Sequence, residues 1–184
     1  MQLKKDEATV VLSVIAADEW VMDKLRVVHS LGYKNCWLGA GIIRNSLWDH
    51  LHGYEQKNPL NDVDVILMED GFTEEKEKAC EKVLTIKRPE VKWSVKDQLL
   101  MAKRFQHKPY KDCSEALSHW VETATAVAVR LNRHEKPEII APYGLSDLLG
   151  LILRPTSAAM RPVMEKRLVE KGWIKQYPKL KVVF

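Results

Sequence analysis

The chain has 184 residues, 46% of them hydrophobic and 29% charged, which excludes an extended disordered chain and allows one real core. No apolar run is long enough to cross a bilayer, and Met1 to Asp6 lacks a secretory pattern, so a soluble, cytoplasmic protein is expected. A formal net charge of +4 is too small to imply nucleic acid by itself. Cys36, Cys80 and Cys113 are odd in number with no close pair, so neither a disulfide framework nor a zinc site is expected, only buried thiols.

From Glu7 to Leu31, apolar residues recur at helical spacing, which predicts one or two amphipathic helices ending at Gly32. Cys36-Trp37-Leu38 is a short strand candidate running into Gly39-Ala40-Gly41. Ile43, Leu47 and Leu51 then recur every fourth residue up to Gly53, the pattern of a one-sided helix with a glycine stop. After a loop around Pro59, Val63 to Met68 reads as a buried strand. Thr73 to Leu84 is a charged helix with Thr73 as N-cap. Val91, Trp93 and Val95 alternate with Lys92, Ser94 and Lys96 as a strand with one buried face. Ala124 to Leu131 and Glu138 to Ala141 follow as two further strands, and Ser157 to Gly172 as a final basic helix. The mixed order predicts one α+β domain over residues 1–184, with a mixed β-sheet flanked by helices.

Two features between Cys36 and Met68 carry chemistry. Glycines let backbone N–H groups come close to a ligand, and a helix N-terminus offers free donors and partial positive charge. The Gly39-Ala40-Gly41 turn, with Arg44 in the next helical turn, therefore suits a phosphate; tight strand-to-helix packing would use the same glycines. Asp62 and Asp64 are two apart at the head of a strand and project to one face. Two carboxylates so close repel unless a cation joins them, and hard oxygen ligands suit Mg²⁺ or Mn²⁺. A solvated loop-to-strand junction is the plainer alternative.

Together these features resemble the nucleotidyltransferase superfamily that includes DNA polymerase β, poly(A) polymerases and tRNA CCA-adding enzymes. In the last group the signature runs Gly-Gly-x-Val-Arg-Asp before an Asp-x-Asp strand. Here Ala40-Gly41 align with the glycines, Ile43 with Val and Arg44 with Arg, and Asn45 stands in place of Asp. The chain is also similar, over nearly its whole length, to a family of small, mainly bacterial nucleotidyltransferase-like proteins. The matching stretches include Asn61-Asp62-Val63-Asp64-Val65, Trp93 to Gln98, Glu122 to Val127 and Ala141 to Asp147.

That resemblance implies a polymerase-β-like fold and metal-dependent transfer of a nucleoside monophosphate from an NTP to an acceptor. Gly39, Ala40, Gly41 and Arg44 would then hold phosphates, and Asp62 and Asp64 would bind Mg²⁺ or Mn²⁺. Superfamily members usually carry a third carboxylate on a neighbouring strand. Asp97, at the end of the Val91, Trp93, Val95 alternation, is the candidate, with a helix N-cap as its rival role. The acceptor is expected to be a small molecule or protein rather than RNA, because tRNA and mRNA enzymes carry large added helical domains. An inactive nucleotide- or RNA-binding module of the same fold is the alternative.

Other residues are assigned plainer roles. His50 and His52 are two apart on a helix and point in different directions, so they read as a helix-end pair rather than a metal site. Trp37, Trp48, Trp93 and Trp120 lie in apolar-periodic contexts and are expected in the core. The basic stretch from Lys96 to Lys111, interleaved with Phe105 and Tyr110, reads as a solvated face. Arg161, Lys166, Arg167 and Lys171 are expected on the outer face of the last helix, with Val163, Met164 and Leu168 turned inward.

Overall fold

A computed structural model of the chain describes residues 5–184. Helices α1 (Lys5–Ala17) and α2 (Glu19–His29) open the chain, separated by Asp18, whose side chain accepts from the Val21 N–H and caps α2. Next come β1 (Cys36–Gly39), α3 (Gly41–His52) and β2 (Val63–Leu67). Then follow α4 (Glu74–Lys87), β3 (Trp93–Asp97), α5 (Gln98–Arg104) and α6 (Cys113–Ser118). β4 (Ala128–Leu131) and β5 (Pro137–Ile140) form a hairpin. The rest is α7 (Ser146–Leu149), β6 (Ile152–Leu153), α8 (Arg161–Lys171), α9 (Trp173–Gln176) and β7 (Lys181–Val182).

The main sheet has the order β3-β2-β1-β4-β5, with β2 and β3 parallel and the other pairs antiparallel. The expected mixed sheet flanked by helices is therefore what forms. Strand alternation sorts the side chains: Leu38, Val63, Val65, Leu67, Val95 and Val129 join the large core that contains Val11, Leu25 and Leu47. Trp37, Ile66 and Ala128 project to the other face, where they pack with Cys113 and Leu117 of α6. Gly39 lies on that second face, and a Cβ there would stand 2.5 Å from the Ile66 Cδ1 and 3.3 Å from the Ala128 Cβ. Only glycine fits without displacing a buried neighbour.

Some local expectations need correction. The stretch from Ala124 to Val127 is a tight turn rather than the start of β4: the N–H groups of Thr125 and Ala126 both donate to the Glu122 carbonyl. In α8, Met164 is buried as expected, but Val163 is 44% exposed. The three cysteines are free and buried, and burial pushes the Cys113 thiol up to about 12. Among the described residues, no helix is long and apolar enough to cross a membrane.

Candidate active site

Antiparallel pairing sets Gly39 of β1 directly opposite Asp64 of β2. The glycine bend and the acidic strand are thus neighbours at one end of the sheet, where α3 begins. At the N-cap of α3, Ala40 has φ +57° and ψ −125°, a backbone geometry that costs a residue with a Cβ of the order of 1–3 kcal/mol. That bend turns the chain sharply from strand into helix. Among the described residues no side chain caps α3, so the N–H groups of its first turn can face a ligand.

A cleft of about 260 Å³ opens at this point. Ala40, Gly41, Arg44 and Asn45 line one side, and Asp62 and Asp64 another. Thr125 and, from the C-terminal helices, Arg167, Lys171, Trp173 and Gln176 complete it. Burial and the neighbouring Asp62 raise the Asp64 carboxyl to about 6, against a hydrogen bond from Ser94 and the charges of Arg44 and Arg167. Directly paired residues share a face, and Ser94 is the β3 partner of Asp64.

Arg44 is 5% exposed and held on several sides. Its Nε and Nη2 donate to the Asn45 Oδ1 at 3.1 and 2.8 Å, and its Nη1 donates to the Thr125 Oγ1 at 2.9 Å. The guanidinium lies 4.4 Å from the Trp173 ring centroid and 4.9 Å from that of Trp48. Burial draws its pKa down to about 10, so it stays charged at neutral pH. Those hydrogen bonds all go to uncharged acceptors. The charges of Glu122 and Asp64 act on it without a direct hydrogen bond among the described residues, and a buried cation so placed can take up an incoming anion.

Asp97 lies elsewhere. In the parallel register it pairs with Leu67, three positions along from Asp64, or roughly 10 Å at the usual strand rise. It also faces the large core, the side away from Asp64. Its Oδ1 accepts from the N–H groups of Leu99 and Leu100, capping α5, and its Oδ2 accepts from the Glu69 N–H. Of the two roles expected for Asp97, the structure shows the cap, and the carboxylate is not brought to the acidic pair. Among the described residues, no group of three or more His, Cys, Asp or Glu side chains is arranged to hold a metal.

Residues 26–182 match the nucleotidyltransferase family. The chain belongs to that family. As a nucleotidyltransferase it is 30% identical to a protein whose NMR structure reveals a CCA-adding enzyme head domain, with a TM-score of 0.80 and 94% of each chain covered. A CCA-adding enzyme solved with CTP shares the fold at 10% identity and a TM-score of 0.60, over 96% of this chain and 43% of that one. The Thermotoga maritima CCA-adding enzyme complexed with tRNA does so at 11% and 0.58, over 100% and 44%. This nucleotidyltransferase thus spans under half the length of those two enzymes. No functionally curated protein matches the sequence.

Several lining residues of the nucleotidyltransferase cleft carry no sequence signal. Arg167 and Lys171, expected on an outer face, line the cleft instead. Glu122 is fully buried and accepts from Arg167 Nε at 2.6 Å and Nη2 at 3.4 Å. Trp37, Trp48 and Trp93 are buried as expected, yet Trp173 is the tryptophan on the cleft wall. His52 is occupied structurally, its Nδ1 2.7 Å from the Trp48 carbonyl. None of the basic residues between Lys96 and Lys111 lines the cleft.

Proposed function

We propose that this protein transfers a nucleoside monophosphate from an NTP to an acceptor, with Mg²⁺ or Mn²⁺ as cofactor. The observation that carries the reading is the register of Gly39 with Asp64, which sets a phosphate-binding turn beside an acidic pair in one cleft. The first-turn N–H groups of α3 and the Arg44 guanidinium would bind the β- and γ-phosphates. Trp48 and Trp173, whose rings stand nearly perpendicular, would keep Arg44 in place.

The donor set fits a divalent cation. Asp62 and Asp64 are hard oxygen donors whose mutual repulsion helps raise the Asp64 carboxyl, and a cation between them relieves it. With two protein carboxylates, phosphate oxygens and water would complete the coordination shell. Such an ion would supply charge neutralisation and activation of the acceptor hydroxyl. In the reaction the acceptor oxygen bonds to the α-phosphorus, the bond to the α–β bridging oxygen breaks, and pyrophosphate leaves with the electron pair.

We assign the acceptor to a small molecule or a protein side chain rather than RNA. The support is that none of the basic residues from Lys96 to Lys111 lines the cleft, which leaves an RNA strand without that basic track. A second reading, nucleotide or RNA binding without chemistry, is favoured by one observation: the carboxylate that could have completed the pair, Asp97, caps α5. Incubation with α-labelled NTPs and Mn²⁺ in cell extract separates the two. Label should pass to an acceptor with the natural protein and not with an Asp62→Asn/Asp64→Asn variant. Transfer that survives the double substitution would falsify the assigned roles. A raised melting temperature with NTP and metal but no transfer would favour the second reading.

A further inference from the structure

The two C-terminal cations of the cleft differ from their neighbours on the same helix. On the outer surface of α8, Arg161 pairs with Glu165 and Lys166 with Glu170, each one turn along. Arg167 and Lys171 are also one turn apart, yet both turn to the cleft. Among the described residues, the Lys171 side chain makes no ion pair or hydrogen bond. Arg167 uses its Nε and Nη2 on Glu122, leaving its Nη1 without a partner among those residues. Glu122 has no solvent access, so Arg167 cannot leave it without stranding a buried charge. The Trp173 ring, 5.4 Å from the guanidinium, helps hold it. Arg167 is therefore a fixed cation with one edge free, and Lys171 is an adaptable one beside it.

We infer that α8 forms a cationic jaw of the same cleft, in which Arg167 and Lys171 grip the terminal phosphates of the nucleotide together with Arg44, so that the cleft selects triphosphates over monophosphates. This rests on the nucleotide reading proposed above. Arg167 and Lys171 would share the β- and γ-phosphates with the turn and Arg44, and AMP, which lacks both of those phosphates, would forgo the contacts. The same contacts would hold the departing pyrophosphate. Glu122 acts here as a positioning residue, since it touches Arg167 and does not line the cleft.

The test is isothermal titration of the full chain, in Mg²⁺, with each NTP, inorganic pyrophosphate and AMP. Lys171→Gln should weaken NTP and pyrophosphate binding by about tenfold, the usual size of one lost charge-assisted contact, and leave AMP within about twofold. Arg167→Gln should do the same or more. Lys171→Gln removes a partly exposed, unpaired side chain, so it keeps the test alive even where Arg167→Gln fails to fold. Natural protein that binds NTP while Lys171→Gln binds it equally well overturns the jaw and leaves the nucleotide reading standing. An equal loss for AMP also overturns it, because the contact would then not be to the terminal phosphates. Natural protein that binds neither NTP nor pyrophosphate overturns both.

Discussion

Replacing Asp64 with Asn should make the metal-free protein more stable while abolishing its proposed activity. The Asp64 carboxyl titrates at about 6 in the fold and near 3.8 in an open chain. The native state thus holds the proton more tightly, and stability falls as pH rises from about 4 to about 6, then levels off. Each pH unit in that window is worth about 1.4 kcal/mol, or about 3 kcal/mol over the whole interval. Asp64 is partly exposed, and solvent screening reduces this to ~1–3 kcal/mol. For a chain of this length the gain corresponds to a rise in melting temperature of about 2–10 °C.

Thermal melts in chelator at pH 7.5 should show Asp64→Asn above the natural protein. At pH 4 the two should converge, since the natural carboxyl is then protonated. Mg²⁺ with an NTP should raise the natural protein's melting temperature and leave that of Asp64→Asn unchanged. Asp64→Asn melting at or below the natural protein at pH 7.5 would refute the claim that burial and Asp62 strain this carboxylate.

Three further outcomes follow from the same geometry. Asp97→Ala leaves the N–H groups of Glu69, Leu99 and Leu100 without their acceptor and should cost about 2–4 kcal/mol in urea unfolding. Label transfer by its folded fraction should persist; lost transfer at full stability would restore Asp97 to the site. Ala40→Gly relieves the backbone at φ +57° and should add ~1 kcal/mol, less the extra freedom of glycine in the open chain. A lower urea midpoint for that variant would contradict the strained bend. Because a proton on Asp64 competes with a cation, Mg²⁺-dependent NTP affinity should fall about tenfold per pH unit below about 6. Titrations at pH 5, 6 and 7.5 that show no such slope would remove Asp64 from the metal site.

Local patterns in the sequence were enough for most elements and for half of the cleft. Period-two alternation identified β3, and a short β-branched run identified β2. The Thr73 side chain accepts from the Lys76 N–H as its place before a helix predicts, and Gly53 ends α3 at φ +72°. The Gly-Ala-Gly turn and the two aspartates stand out because their chemistry depends on neighbours one to four residues away. Alternation within a strand, however, says which residues share a face and not which residue of the next strand lies beside them. β2 packs on α3 and β3 on α4, and the parallel register of the two strands puts Ser94, not Asp97, next to Asp64.

The rest of the cleft depended on contacts far apart in the chain. A basic helix with one acidic neighbour per turn looks the same from either side until something buries one of its faces. The buried carboxylate of Glu122, 45 residues upstream, turned Arg167 inward, and Lys171 followed one turn later. Residues 124–127 have the composition of a strand, and they form a turn in which the Glu122 carbonyl takes two backbone donors and Thr125 receives Arg44. Period and composition settled most of the strands, the caps and the glycine bend, because those depend on interactions over a few residues. Register, helix orientation and the turning of Arg167 and Lys171 to the cleft are set by long-range packing, which only the tertiary structure could decide.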